Sequence, residues 1–246
     1  MKPADVVRRI PYTGGNTLLD FLVSIGAHAA LKDAEVLAFE SGHVLLDTNG
    51  LIENVYFPID MMVSITTLME NGSEIEVGTV GREGVCGGVQ LILGIDRVPG
   101  KALCQVAGTA ARLSAREFTS WMKESSQSRA AMLRYVQAAL NALEISVACN
   151  ALHPVIARCA RWLLVTQDRV QRDEFGLTQE FLAVMLGVRR ATVSSVEQEL
   201  QQLQSIRLER GRIHIVDRAA LERASCECYR LTIERYDELV KLAPLA

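Results

Sequence analysis

No apolar run in this chain approaches the roughly 18 residues needed to cross a bilayer. Its start, MKPADVVRRIPYTGG, is too polar for a secretory leader. Both absences predict a cytoplasmic protein with no membrane partner. Positive charge is not in excess either: the net charge is −3 and the pI about 5.9. A chain with that balance is not a polyanion binder as a whole, so affinity for nucleic acid has to come from a local basic cluster. No paired-carboxylate or nucleophile signature stands out. His28, His43, His153 and His214 show no His-x-His spacing, which argues against a metal-dependent barrel enzyme of cupin type. No enzyme activity is expected. Cys86, Cys104, Cys149, Cys159, Cys226 and Cys228 are scattered through apolar surroundings and read as reduced core thiols. Cys226-Glu-Cys228 falls on a predicted helix, where residues i and i+2 point to different faces. No metal site is expected there.

The 246 residues and 49% hydrophobic content suit two modest domains or one large one. The richest segment is TQEFLAVMLGVRRATVSSVEQELQQLQSIRLERGRIHIVD, Thr178 to Asp217. Thr178 is a good N-cap, and Leu177 and Leu182 stand at the two positions of a hydrophobic staple. A first helix runs from Gln179 to Leu186 and ends at Gly187, which can leave it with positive φ. Ala183, four residues earlier, lets a second helix, about Arg190 to Leu203, cross closely. Leu182, Leu186, Val188, Val193 and Val196 are spaced to fill the gap between the two helices. Ile206-Arg-Leu208 and Ile213-His-Ile215 alternate at period 2 around Glu209-Arg210-Gly211-Arg212, a hairpin with a basic tip. Helix, turn, helix and hairpin make a winged helix-turn-helix, which places one helix in the DNA major groove. Arg189, Arg190, Thr192, Ser194 and Ser195 are the early polar positions of that helix, donors for base edges and phosphates. Arg189, Arg190, Arg207, Arg210 and Arg212 supply the local basic cluster.

Between Val36 and about Leu113 the pattern changes to short apolar runs separated by turns. The runs are Val36–Phe39, His43–Leu46, Val55–Phe57, Met62–Met69, Ile75–Val80, Leu103–Val106 and Ala110–Leu113. Many short strands argue for a small antiparallel sandwich or barrel, with Asn49-Gly50 and Asn71-Gly72 as hairpin-type turns. Ser128 to Cys149 then has strong helix formers and neither Gly nor Pro. Leu133, Val136, Leu140, Leu143 and Val147 step by 3, 4, 3 and 4, an a/d seam that pairs two helices; packing on the protein's own barrel needs similar spacing. His153-Pro154 ends or kinks this helix as a hinge. Val155 to Arg169 reads as a further helix, and Arg218 to Leu242 as an added amphipathic helix without an assigned role.

The segment LTQEFLAVMLGVRRATVSSVEQELQQLQSIRLERGRIHIVD resembles the C-terminal domain of the Crp/Fnr regulators, named for the cyclic-AMP receptor protein and the fumarate-nitrate reduction regulator. The resemblance covers nearly the whole chain in order of elements, and VYFPIDMMVSI looks like a strand pair of many members. It implies an α+β fold: an N-terminal antiparallel jelly-roll of the cyclic-nucleotide-binding type (1–127), a long dimerisation helix (128–153), a winged helix-turn-helix (154–223) and a C-terminal helix (224–246). It implies a homodimeric transcription regulator, with a palindromic double-stranded operator and RNA polymerase as partners. Arg190 matches the family arginine that reads a guanine, and Thr178 and Thr192 match phosphate contacts. Gln179, Arg189, Ser194, Ser195, Arg210 and Arg212 complete the expected DNA-binding set. The family's next glutamate is replaced by Ala191, and a later arginine of the cyclic-AMP branch by Ser195, so the docking mode carries over while the target sequence need not. The family's nucleotide cassette has a glutamate that falls here at Gly88 or Val89. Arg97 is the only nearby arginine, followed by Val98-Pro99-Gly100 instead of Ser/Thr-Ala. Gly87, Gly88, Val89 and Arg97 therefore mark an effector pocket without the standard cassette, which argues against cyclic AMP and leaves the effector unassigned. No cysteine precedes Cys86, so the N-terminal iron-sulfur cluster of oxygen-sensing members has no ligands. The alternatives are a regulator without a ligand and a protein-interaction module using the same barrel and helical hairpin.

Overall fold

The computed structural model describes residues 10–25 and 34–241; His28 and Leu242 lie outside them. A short strand, β1 (Ile10–Pro11), precedes α1 (Thr17–Ser24). Asn16 caps α1 by accepting from the Leu19 amide, and its own side-chain amide donates to the Pro58 and Gly84 carbonyls at 2.7 and 2.9 Å. A fully buried asparagine is tolerable here because its hydrogen bonds are made, and they pin α1 to the sandwich that follows.

That sandwich comprises β2 (Glu35–Phe39), β3 (Val44–Leu46), β4 (Asn54–Pro58), β5 (Met62–Leu68), β6 (Glu74–Val80), the short α2 (Gly88–Ile92), β7 (Lys101–Val106) and β8 (Gly108–Ser114). The strands pair antiparallel in two sheets ordered β1-β2-β8-β4 and β3-β7-β5-β6. Each predicted apolar run forms a strand, because its inward residues, among them Val55, Phe57, Val63, Cys104, Ala110 and Leu113, fill one buried core. The two Asn-Gly turns differ. Asn71-Gly72 tips the β5–β6 hairpin, with Gly72 at φ +81°. Asn49-Gly50 closes no hairpin: β3 pairs with β7 and β4 with β8, so this turn carries the chain from one sheet to the other. Local turn chemistry reports a reversal, not which strands it joins.

Ser114 and Glu117 form a capping box at the start of α3 (Ala115–Glu124), a signal the alternation reading passed over. Then α4 (Ser126–Leu152) runs along the sandwich, burying Ala131, Met132, Tyr135 and Ala138. The Tyr135 hydroxyl accepts from the Val85 amide at 3.2 Å and lies over Gly84, where a Cβ would come within 2.2 Å of it. His153 leaves the helix in an extended conformation and Pro154 starts α5 (Val155–Val170), the break that His153-Pro154 predicts.

The C-terminal unit continues with β9 (Glu174–Gly176), α6 (Gln179–Leu186), α7 (Arg190–Gln202), β10 (Ile206–Glu209) and β11 (Arg212–Ile215). β9 adds a third strand to the predicted hairpin, pairing with β11. The expected single helix from Arg218 is two: α8 (Arg218–Ala224) and α9 (Cys228–Lys241), broken at Ser225–Glu227. That break corrects the reading of Cys226-Glu-Cys228. Cys226 lies in the bend and Cys228 is the first residue of α9, so the two thiols are not held on opposite faces of one helix. They meet Cys149 and His153 from the end of α4, and the four ligand atoms lie within 4.8 Å of one another, a group able to hold a metal ion. The argument against a metal site judges the spacing on a helix that does not continue, so it does not apply to this pair. Cys86, Cys104 and Cys159 are buried free thiols, as expected.

Candidate nucleic-acid interface and hinge

The helix-turn-helix is built by the residues that the spacing singles out. Thr178 caps α6 by accepting from the Phe181 amide at 3.3 Å, and Gly187 ends it at φ +62°. Leu182, Leu186, Val193 and Val196 are buried in the core that α5, α6 and α7 share, with Val188 packed against it. At the wing, Glu209 faces Arg212 across a two-residue loop, Arg210 at φ +48° and Gly211 at φ +77°. Two positive φ values are the requirement of the hairpin turn whose twist matches its strands.

The polar side chains expected at DNA are mostly exposed and are not all free. Arg189, Arg190, Ser195, Arg210, Arg212 and Thr178 are exposed, while Gln179, Thr192 and Ser194 are half-buried. Arg190 is held within the unit: its Nε donates to Gln179 Oε1 at 3.1 Å and its Nη1 pairs with Glu180 Oε1 at 2.7 Å. Gln179 in turn donates to Glu197 Oε2 at 2.6 Å. Glu197 is buried, and burial raises its pKa above the usual carboxylate range while the Gln179 bond lowers it. Sequence reasoning missed Glu180 and Glu197; a carboxylate at i+7 on a recognition helix is legible only once α6 is seen to cross it. Arg207 pairs with Glu209 at 2.8 Å, and Arg212 with Glu174 on β9. Ser195 turns its hydroxyl back to the Ala191 carbonyl at 3.2 Å.

The expected seam on α4 is largely exposed. Leu133, Leu140, Leu143 and Val147 are exposed, Leu140 by 49% and Val147 by 70%, and Val136 is half-buried. The buried residues of α4 are a different set, Ala131, Met132, Tyr135 and Ala138 among them. Leu143 passes close to Gly78, where a Cβ would stand 3.1 Å from it.

The expected effector positions are not assembled into a polar pocket. Gly87 turns the chain at φ +85°, and a Cβ there would crowd Ile52 and Leu46. Gly88 is buried, with Val85 and Phe118 where its Cβ would stand. The Arg97 guanidinium is exposed and donates to the Asn49 carbonyl at 2.7 Å.

The sandwich and the C-terminal unit are also locked together. Arg169 of α5 pairs with Glu83 of the β6–α2 loop at 2.7 Å, both largely buried, and donates to Thr79. Its side chain occupies the space of a Cβ at Gly81, which explains the glycine. Arg172 donates to the Asp60 and Ala107 carbonyls at 3.0 and 2.7 Å. Met62 and Val106 of the sandwich belong to the core of the C-terminal unit. Glu76 on β6 accepts from Ser64 at 2.6 Å and from Gln105 at 3.4 Å; burial pushes its pKa up to about 7, against the lowering effect of these bonds and of Arg169. α9 returns along α4 and sets Tyr236 against Tyr135, ring centroids 6.4 Å apart.

Residues 157–224 match the family described as the Crp-like helix-turn-helix domain. This unit is a Crp-like helix-turn-helix domain. The fold of the whole chain is similar to that of three solved structures. TTHB099, a transcriptional regulator of the CRP family from Thermus thermophilus, superposes with a TM-score of 0.62 at 20% identity, over 76% of this chain and 95% of that one. FixK2 from Bradyrhizobium japonicum gives 0.63 at 13% identity, over 78% and 98%. A mutant of CooA from Carboxydothermus hydrogenoformans gives 0.57 at 16% identity, over 87% and 97%. No curated protein matches the sequence. Among the described residues no helix is long and apolar enough to cross a membrane.

Proposed function

We propose that this chain is a cytoplasmic, homodimeric, sequence-specific DNA-binding regulator of Crp/Fnr type. The observation that carries the reading is the exposed start of α7, with Arg189 and Arg190, and the exposed Arg210 wing tip, on a Crp-like helix-turn-helix domain. Arg190 reads a base edge, Thr178 and Thr192 position the phosphates, and Arg210 and Arg212 follow the backbone from the wing. Two copies join through the exposed Leu133, Val136, Leu140, Leu143 and Val147 stripe and present two recognition helices to half-sites about one helical turn (~34 Å) apart.

The sandwich acts as a sensor that does not take cyclic AMP. Gly88 and Val89 offer no carboxylate for a ribose hydroxyl, and Arg97 is engaged by a backbone carbonyl. The buried ion pair and the near-neutral Glu76 beneath α5 are where a change in the sandwich reaches the DNA-binding unit. Selection of bound fragments from genomic DNA by the purified protein tests the whole reading. A palindromic consensus, bound with steep salt dependence, is expected. Binding without sequence preference sinks it.

A further inference from the structure

Cys149 and His153 are four residues apart at the end of α4, which places them on one helical face. Cys226 arrives from the bend between α8 and α9, and Cys228 from the first turn of α9. Cys149, Cys226 and Cys228 are buried, and Ala157 and Ile145 wall them into a small core of their own. The Cys149 and Cys226 sulfurs are 3.5 Å apart, and the Cys228 sulfur is 3.7 Å from His153 Nδ1. A tetrahedral ion with metal–sulfur bonds of about 2.3 Å and a metal–nitrogen bond of about 2.0–2.1 Å sets its ligands roughly 3.5–3.8 Å apart. The two separations have the length of such edges.

The other face of the histidine carries the second observation. His153 Nε2 lies 3.3 Å from Glu227 Oε2. A carboxylate on that nitrogen fixes the tautomer that leaves Nδ1 unprotonated toward the three thiols, the outer arrangement that metal-bound histidines use. Neither competing explanation accounts for all four groups. A disulfide between Cys149 and Cys226 leaves Cys228, His153 and Glu227 without a role. A multi-iron cluster divides its ligands among two or more irons and needs the set spread farther apart than one shared ion does.

We propose that Cys149, His153, Cys226 and Cys228 form a closed Cys3His site for one zinc-class divalent ion. Three thiolates and an imidazole select a soft, tetrahedral ion over magnesium or calcium. Four protein ligands leave no open position, so the site is structural. It fastens the end of α4, one residue before Pro154, to the C-terminal extension. The ion thereby sets the angle at the hinge between the α4 helix and the DNA-binding unit. This assignment gives α8 and α9 a function and does not depend on the DNA-binding reading.

The test uses the full chain, purified without chelators and without a histidine tag. Elemental analysis should find one zinc per chain. The apoprotein, with reduced thiols, should take up one cobalt(II) and show the thiolate charge-transfer and intense visible bands of a tetrahedral sulfur-rich site, lost on adding zinc. Cys228→Ser should lose metal, whereas Cys104→Ser, in the sandwich core, should keep it. Glu227→Gln should weaken affinity by about 10–100-fold without removing a ligand. Reduced apoprotein that gives no tetrahedral cobalt spectrum would overturn the proposal, and this reading needs no variant to fold. So would an iron-sulfur chromophore, or a metal-free protein isolated with a Cys149–Cys226 disulfide.

Discussion

Arg169 and Glu83 face each other at 2.7 Å across the boundary between the DNA-binding unit and the sandwich, with side chains only 7% and 15% exposed. Nearby Tyr135 and Tyr236 complete the surroundings of the guanidinium, whose pKa is raised by Glu83 against the desolvation that would lower it. Breaking such a pair on one side leaves an uncompensated buried charge, at about 3–5 kcal/mol. Glu83→Gln should therefore lower the melting temperature markedly. The double variant Glu83→Gln/Arg169→Met should recover most of the loss in calorimetry. Equal stability of the wild type and Glu83→Gln would mean that the pair holds nothing together.

At the recognition helix, Arg190 is shared between Gln179 and Glu180 in the absence of DNA. A bidentate bond to a guanine is worth about 1–3 kcal/mol of discrimination. Arg190→Ala should lower specific affinity by that amount and relax preference at one base per half-site in a binding-site selection. Glu180→Gln removes the ion pair but leaves the guanidinium and its Gln179 bond, and should leave the preferred base unchanged. An Arg190→Ala protein that selects the wild-type sequence would refute the role.

Leu140 stands near the middle of the exposed stripe on α4. In a two-fold interface Leu140→Glu buries a carboxylate beside its symmetry mate, which is costly. The variant should sediment as a monomer with unchanged thermal stability of the isolated chain and should fail to bind a palindrome. A variant that stays dimeric places the interface elsewhere.

Burial pushes the pKa of Glu76 up to about 7 in the folded protein, above the value of about 4.3 for an unfolded glutamate. Between those values the folded state holds a proton that the unfolded state has lost. Stability therefore falls as pH rises from about 4 to 7 and changes no further above it. Glu76→Gln removes the titrating group and should flatten this part of the stability-versus-pH curve measured by urea denaturation. An unaltered slope between about pH 5 and 7 would count against it.

Cyclic nucleotides give a direct check on the sensor. Calorimetric titration with cyclic AMP or cyclic GMP should show no saturable binding at micromolar concentration, since a site built around hydrogen bonds loses discrimination when a partner is missing. A micromolar isotherm that disappears in Arg97→Ala would show that Arg97 reaches a phosphate.

The sequence by itself determined what short-range chemistry controls. Thr178, Gly187, the apolar set from Leu182 to Val196, and Arg210-Gly211 specify caps, a turn and a hairpin within about 40 residues, and all of them form. The alternating runs from Val36 to Leu113 likewise specify strands, because each buries one face. Tertiary structure alone decided which strands pair, so Asn49-Gly50 crosses between sheets. It also decided that Glu197 reaches Gln179, and that Arg169 displaces a side chain at Gly81. The cysteines show the reason most plainly. Cys149 and Cys226 are 77 residues apart, and no local period relates them; they meet because α9 folds back along α4, with Tyr236 against Tyr135.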